Sequence, residues 1–314
     1  MRDQQADALV AAARGGDARS LARLISLVED GSPELRPVMR AVAPHTGSAQ
    51  VIGLTGSPGV GKSTVTDRLV RAFRAQGRRV GVLAVDPTSP FSGGALLGDR
   101  VRMADHATDT GVFIRSMASR GHLGGLSWAA PQALRILDAA GFDVIFVETV
   151  GVGQAEVAIA GLADSTLVVL APGLGDSIQT AKAGILEIAD IFVVNKSDRP
   201  GAHDVVRDLR NMLNMATYDR GWKPPIVSAA AAPGEGIDEL VAKIGAHWSF
   251  LGDSGLRQER RLARAREEIS AIAVAEIRRR LGGLPGESRL DELALQVAQG
   301  KLDPYSAADE LAAG

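Results

Sequence analysis

Eight consecutive residues, Gly56-Ser57-Pro58-Gly59-Val60-Gly61-Lys62-Ser63, match the pattern of a phosphate-binding loop, and Thr64 follows them. Glycines let such a loop turn tightly, so that its backbone N–H groups converge on phosphate oxygens. The helix that follows adds the positive end of its dipole at the same point. In this pattern Lys62 reaches the β- and γ-phosphates and Ser63 offers its hydroxyl to Mg2+. The motif comes directly after the apolar run VIGLT (51–55) and before a helical stretch, Ser63–Ala75, which is the strand–loop–helix context the chemistry requires. A glycine turn with a chance lysine is the weaker alternative.

Asn195-Lys196-Ser197-Asp198 follows the apolar run IFVVN. A carboxylate at Asp198 can accept both the N1–H and the 2-amino hydrogens of guanine. Adenine carries an acceptor at N1 and no 2-amino group, so it would leave that carboxylate unpaired. Lys196 can lay its stem over the base, and Asn195 can hold the loop or the base edge. Alone, four such residues read equally as a polar turn; in chain order after a phosphate loop they point to guanine. Ser228-Ala229, ending PPIVSA (224–229), fits a backbone contact to the guanine oxygen.

Glu148-Thr149-Val150-Gly151 closes the run DVIFVET. There Glu148 can bind Mg2+ directly or through water, and the Gly151 N–H can sense a γ-phosphate, which would make the next segment a switch. Asp86 ends VGVLAVD (80–86), and Asp99 follows the glycine-rich stretch 92–98. A carboxylate at a strand's C-terminal end suits Mg2+ or water positioning. Asp99 reads nearly as well as the N-cap of a helix over 100–107.

These residues need a frame. The remaining apolar runs are VFIRSM (112–117) and STLVVLA (165–171). Several runs show no period-two alternation, as expected of strands buried on both faces of a parallel sheet. Helical stretches at Trp128–Ala139, Gln179–Ile188 and Val205–Leu213 supply the crossovers that parallel pairing needs. The expected fold is α/β: a doubly wound, mostly parallel sheet over 46–250, with helical extensions at both ends. A crossover helix at 128–140 makes VFIRSM and the Glu148 strand parallel, unlike the hairpin of Ras-like GTPases. This favours the class that holds the signal-recognition and metallochaperone enzymes. Residues 1–45 read as helices, with Leu21, Leu24, Ile25 and Val28 on one apolar face and a stop at Gly31-Ser32-Pro33. Beyond Ser254, in a C-terminal arm over 251–314, a long Arg-rich helix over 257–281 carries Leu262, Ala265, Ile269, Ile272 and Ile277 along one side. A last helix, Leu290–Gln299, leads to a tail.

Composition narrows the function. With 35 Lys+Arg against 37 Asp+Glu, a generally basic nucleic-acid binder is disfavoured. The chain has no cysteine, so disulfides, thiolate metal sites and cysteine nucleophiles are excluded. No signal-peptide core and no membrane-length apolar stretch is found, and the expectation is a cytoplasmic protein with no membrane. His45, His106, His122, His203 and His247 show no metal-site spacing, and no Ser/His/Asp arrangement is apparent.

The blocks GSPGVGKST, VLAVDPTSPFSGGALLGDRVRM, FIRSMASRGHLGGLS, DVIFVETVGVGQAE, APGLGDSIQTAKAGILEIADIFVVNKSD and LARLISLVED resemble the MeaB/ArgK family of P-loop GTPases. The resemblance implies binding and hydrolysis of GTP with Mg2+. It also implies a partnership with an adenosylcobalamin-dependent acyl-CoA mutase, chiefly methylmalonyl-CoA mutase, whose cofactor loading and protection the GTPase gates without itself binding cobalamin. Carried over by motif, Lys62 and Ser63 hold phosphates and metal, Asp86, Asp99 and Glu148 form an acidic set around Mg2+ and water, and Asp198 reads guanine. Gly173–Lys182 becomes a further switch touching the mutase, with Asp176, Gln179 and Lys182 as its polar members. The family is commonly homodimeric through C-terminal helical arms. Two other readings stay open: a metallochaperone-type GTPase, and a P-loop kinase linked to amino-acid transport. No residue stands out to orient the attacking water, and Gln154, Arg115 and Arg120 are weak candidates for completing the site. Slow intrinsic turnover, raised by the partner, is therefore expected.

Overall fold

In a computed structural model, the described residues are 3–86, 103–106, 108–118, 129–149, 155–173, 187–215, 221–282 and 287–313. Seven strands form one sheet: β1 (Gln50–Thr55), β2 (Val80–Asp86), β3 (Val112–Ala118), β4 (Val144–Thr149), β5 (Ser165–Leu170), β6 (Ile191–Asn195) and β7 (Ile226–Ala229). Their order is β3-β2-β4-β1-β5-β6-β7, and every neighbouring pair is parallel. The expected α/β fold is therefore the observed one. β3 and β4 run parallel as the crossover helix requires, but β2 lies between them.

β1, β4, β5 and β6 are buried along their whole length, which is why their sequences do not alternate. Their side chains still divide by parity. Ile52, Leu54, Val82, Phe146, Val169 and Val193 pack under α4 (Lys62–Ala75) and α8 (Ile237–Asp253). Val51, Leu83, Val85, Ile145 and Val147 meet α5 (Ala130–Ala139) and α6 (Ala155–Leu162) on the other face. Val168, Leu170, Phe192 and Val194 pack with α7 (Ala202–Met215). Layers of helix on both faces make a doubly wound domain.

The N-terminal residues form three helices, α1 (Asp3–Arg14), α2 (Ala18–Glu29) and α3 (Leu35–Val42), one more than the stop at residues 31–33 alone implies. The extra break comes at Gly16 (φ 93°), after which Asp17 caps α2 by accepting from the Arg19 N–H (3.2 Å) and the Ser20 N–H (3.1 Å). The Ser20 hydroxyl bond and these N–H groups hold the Asp17 carboxyl below its ordinary range. Leu21, Leu24, Ile25 and Val28, the periodic face of α2, are all buried in the core shared with α5. Arg115 of edge strand β3 reaches the same helix, donating to Glu29 and to Ser26.

Arg74 of α4 forks onto Asp109 through two 2.8 Å bonds, and its guanidinium holds the Asp109 carboxyl below the usual range. This bidentate pair ties the segment before β3 to the helix that follows the phosphate-loop motif.

Met1–Gln258 forms one compact unit and Glu259–Gly314 a second. α9 (Leu256–Gly282) leaves Leu262, Ile269, Ile272, Val274 and Ile277 exposed. α10 (Glu287–Ala298) and α11 (Pro304–Ala313) follow, with Leu293 and Ala307 buried. The sequence reading leaves residues beyond 299 as a tail, whereas they include a capped helix. Asp303 accepts from the Tyr305 N–H (2.9 Å) and Ser306 N–H (3.1 Å), and Pro304 takes the first helical position, where its missing N–H costs nothing. Among the described residues no helix is long and apolar enough to cross a membrane.

Candidate functional site

The strand order brings the chemistry-bearing residues to one edge. β1 sits between β4 and β5, and the pairing sets Leu54 beside Glu148. The phosphate-loop motif thus leaves β1 next to the carboxylate that ends β4. In parallel sheets of this kind, ligands bind beyond the carboxyl ends of the strands. Asp86 ends β2 at this same edge, with Val85 paired to Thr149.

Residues 56–61 turn on positive φ angles at Gly56 (140°), Gly59 (79°) and Gly61 (96°). A Cβ on Gly56 would lie 2.2 Å from the Val169 carbonyl oxygen of β5, and one on Gly61 would lie 2.4 Å from Asn195 Nδ2. Both positions therefore demand glycine for conformation and for space. Gly56→Ala should abolish nucleotide binding or the fold itself, since the β5 backbone cannot retreat from its ladder. Dye-labelled nucleotide binding together with thermal melting checks this, and a wild-type affinity would contradict it.

Lys62 opens α4 and is only 8% exposed. Its ammonium spans the loop, donating to the carbonyls of Gly56 (2.5 Å) and Ser57 (3.1 Å). Ser63 and Thr64 are exposed on the first turn. The Ser63 hydroxyl donates to Glu148 Oε1 (3.2 Å). The Thr66 hydroxyl lies 2.9 Å from Glu148 Oε2 and 3.1 Å from the Lys62 carbonyl. Glu148 is 1% exposed, so its carboxylate is buried yet supplied with donors. A hydroxyl and a carboxylate converging at a helix N-terminus are hard oxygen donors. They fit Mg2+, which keeps few protein ligands and takes the rest from phosphate and water.

Asn195 ends β6 and bridges two loops. Its Nδ2 donates to the Val60 carbonyl (2.8 Å), and its Oδ1 accepts from the Ala231 N–H (3.1 Å). Lys196, at φ 57°, donates from Nζ to the Gly59 carbonyl (2.7 Å). The Ser197 N–H donates to the Ala229 carbonyl (3.0 Å). Asp198 is exposed beyond this turn, and Ser228 and Ala229 end the adjacent strand β7, with Asn195 paired to Ala229. The structure thus gathers Gly56 to Thr64, Glu148, Asn195, Lys196, Asp198, Ser228 and Ala229 on one edge.

Gly173 lies just past β5, exposed and at φ 79°. The side chain of Asp86, and all of Asp99, Arg120, Gly151, Gln154, Asp176, Gln179 and Lys182, lie outside the described residues, as does most of the helix expected over 179–188.

Three features escape a motif search. Thr66 contacts Glu148 although the motif ends at Ser63. Arg68 of α4 donates from Nε to the Ala231 carbonyl (2.9 Å) and also to the Ala232 carbonyl, bracing the loop after β7. Its only sequence signal is a charge on the helix next to the motif. Finally, Ser165, His247 and Asp190 do come together. Ser165 Oγ lies 2.7 Å from His247 Nδ1, and His247 Nε2 lies 3.3 Å from Asp190 Oδ1. All three are buried at the opposite, N-terminal edge of the sheet, away from the phosphate-loop motif, and the cluster pins α8 to β5 and β6.

The comparisons agree with this geometry. The family model for "Methylmalonyl Co-A mutase-associated GTPase MeaB" matches residues 21–283. A protein of Pyrococcus abyssi that bears a GTPase name is 49% identical over 96% of this chain and 94% of its own. GTPase ArgK of Escherichia coli is 38% identical over 78% of this chain and 77% of its own. A crystal structure described as a LAO/AO transport system kinase superposes with a TM-score of 0.73 at 27% identity, covering 99% of this chain and 98% of the other. With the family model spanning residues 21–283 and relatives of this identity spanning nearly the full length, the chain belongs to the MeaB family of P-loop GTPases.

Proposed function

We propose that this GTPase binds Mg2+ and GTP across the edge described above and acts as a chaperone and gatekeeper for an adenosylcobalamin-dependent acyl-CoA mutase, methylmalonyl-CoA mutase being the first candidate. The observation that carries the nucleotide reading is the double tether of Asn195 to Val60 and Ala231, which couples the phosphate loop to the base-reading turn. The partner reading is supported by the family description and by the mouse relative called a methylmalonic aciduria type A homolog, 38% identical over 60% of this chain and 46% of its own.

In this reading the N–H groups of residues 56–63 and the N-terminus of α4 cradle the phosphates. Lys62 swings its ammonium from the loop carbonyls onto the β- and γ-oxygens. Ser63 and Glu148 would hold Mg2+, with Asp86 and Asp99 as further acidic members, and the charge neutralisation it would supply falls on the phosphates. Lys196 covers the base, Asp198 accepts its two N–H groups, and the Ala229 region meets its oxygen. Water attacks the γ-phosphate and GDP leaves. Catalysis here is positioning and electrostatic stabilisation. The partner completes a site that turns over slowly alone, with Gly151 and Gly173–Lys182 as the segments that register nucleotide state. The exposed apolar side of α9 pairs with a second copy of the chain. Cobalamin stays with the mutase, and the setting is the cytoplasm.

The direct test is capture of purified methylmalonyl-CoA mutase by this protein loaded with GDP or with a non-hydrolysable GTP analogue. Affinity should differ between the two states by about tenfold, the size of an ordinary coupling between sites. Equal capture in both states, or none, would remove the chaperone reading. The crystal structure named as a transport-system kinase keeps a kinase reading on the table. It requires phosphate to appear on an amino acid or protein rather than in solution, and labelled γ-phosphate distinguishes the two.

A further inference from the structure

We infer that Thr66 is a positioning residue for the metal site: it clamps one oxygen of Glu148 so that the other faces Ser63 and the incoming cation. The inference rests on the Mg2+-GTPase reading above and extends it to a residue outside the motif. Thr66 is fully buried, one turn of α4 beyond Ser63, and so lies on the same helix face. Apart from Lys62 in the first turn, the other buried positions of α4 are apolar, namely Val65, Leu69, Val70 and Phe73. Packing alone would be served by another apolar side chain there.

The hydroxyl has one proton and two acceptors within reach. Glu148 Oε2 is the nearer at 2.9 Å and carries charge, whereas the Lys62 carbonyl at 3.1 Å is neutral. Charge-assisted bonds are the stronger kind, so the proton belongs to Glu148. Glutamate carries one more rotatable bond than aspartate and needs more to hold it. The Ser63 hydroxyl meets Oε1 of that carboxylate and the Thr66 hydroxyl meets Oε2. With a cation bound, Thr66 would keep its grip on Oε2 and leave Oε1 on the side of Ser63, where the two could serve the metal together.

The test uses the full-length protein and the release of fluorescent GDP, which reads metal binding apart from hydrolysis. In wild type, rising Mg2+ should slow release with a defined midpoint. In Thr66→Val, which keeps the shape and removes the donor, the midpoint should move about tenfold higher, the effect of losing one hydrogen bond to a charged acceptor. Release in excess chelator should be unchanged, and Thr66→Ser should restore the wild-type midpoint. Thr66→Ala gives the same readout should the valine variant fold poorly. An unshifted midpoint in these variants, with wild type responding to Mg2+, would overturn the role of Thr66 and leave the GTPase reading intact. Faster release in chelator, in step with the midpoint, would also overturn it by assigning Thr66 to the loop. A wild-type protein indifferent to Mg2+ would overturn both.

Discussion

Asp198→Asn should turn this guanine-nucleotide protein toward xanthine nucleotides. In the proposed site the carboxylate accepts two N–H groups of guanine, whereas an asparagine amide presents one acceptor and one donor, and it is xanthine that offers N1–H beside a C2 carbonyl. Sites built around buried hydrogen bonds reject a mismatched partner by about 10⁴-fold or more. Asp198 is exposed, so water competes, and a loss of roughly 10²- to 10³-fold in GTP affinity with a comparable gain for XTP is the expected size. The turn should survive the change, because it is held by other groups: the Ser197 N–H on the Ala229 carbonyl, the Arg199 N–H on the Lys196 carbonyl, and Asn195 between Val60 and Ala231. Competition of GTP, XTP and ATP against a fluorescent nucleotide measures the exchange. Undiminished GTP binding by the variant would show that the base is read elsewhere.

Lys62→Ala should cost about 10³-fold in the rate of γ-phosphate release at saturating GTP, the scale of removing a preorganised donor from a water-poor site. Lys62 is almost wholly buried, so its charge acts in a low dielectric where it is worth more than a surface lysine. Arginine should not replace it. A rigid planar fork cannot follow the path of an ammonium that now sits 2.5 Å and 3.1 Å from two loop carbonyls. Single-turnover phosphate release separates this from weakened binding, and nucleotide affinity should fall as well because the loop loses its internal tie. A variant within a few-fold of wild type would mean that the transferred charge is stabilised by another group.

The sequence alone carried the strands, the phosphate-loop motif and the guanine signature. Strands buried on both faces leave unbroken apolar runs, and a loop in which a Cβ at position 56 would fall 2.2 Å from the Val169 carbonyl oxygen has no choice but glycine there. Local rules of this kind are written in consecutive residues. Tertiary structure alone decided which distant pieces meet. That β2 lies between β3 and β4, that Leu54 stands beside Glu148, that Arg68 braces the loop after β7, and that His247 joins Ser165 and Asp190 all depend on strand order and register between segments far apart in the chain. The helix break at Gly16 and the cap at Asp303 were legible in Gly-Asp and Asp-Pro steps but were outweighed by the longer apolar patterns around them. Thr66 shows the division most plainly. A motif specifies residue types at fixed spacing, but which hydroxyl meets a buried carboxylate is set by the direction a side chain takes from its helix toward the neighbouring strand, and only the packed fold settles that direction.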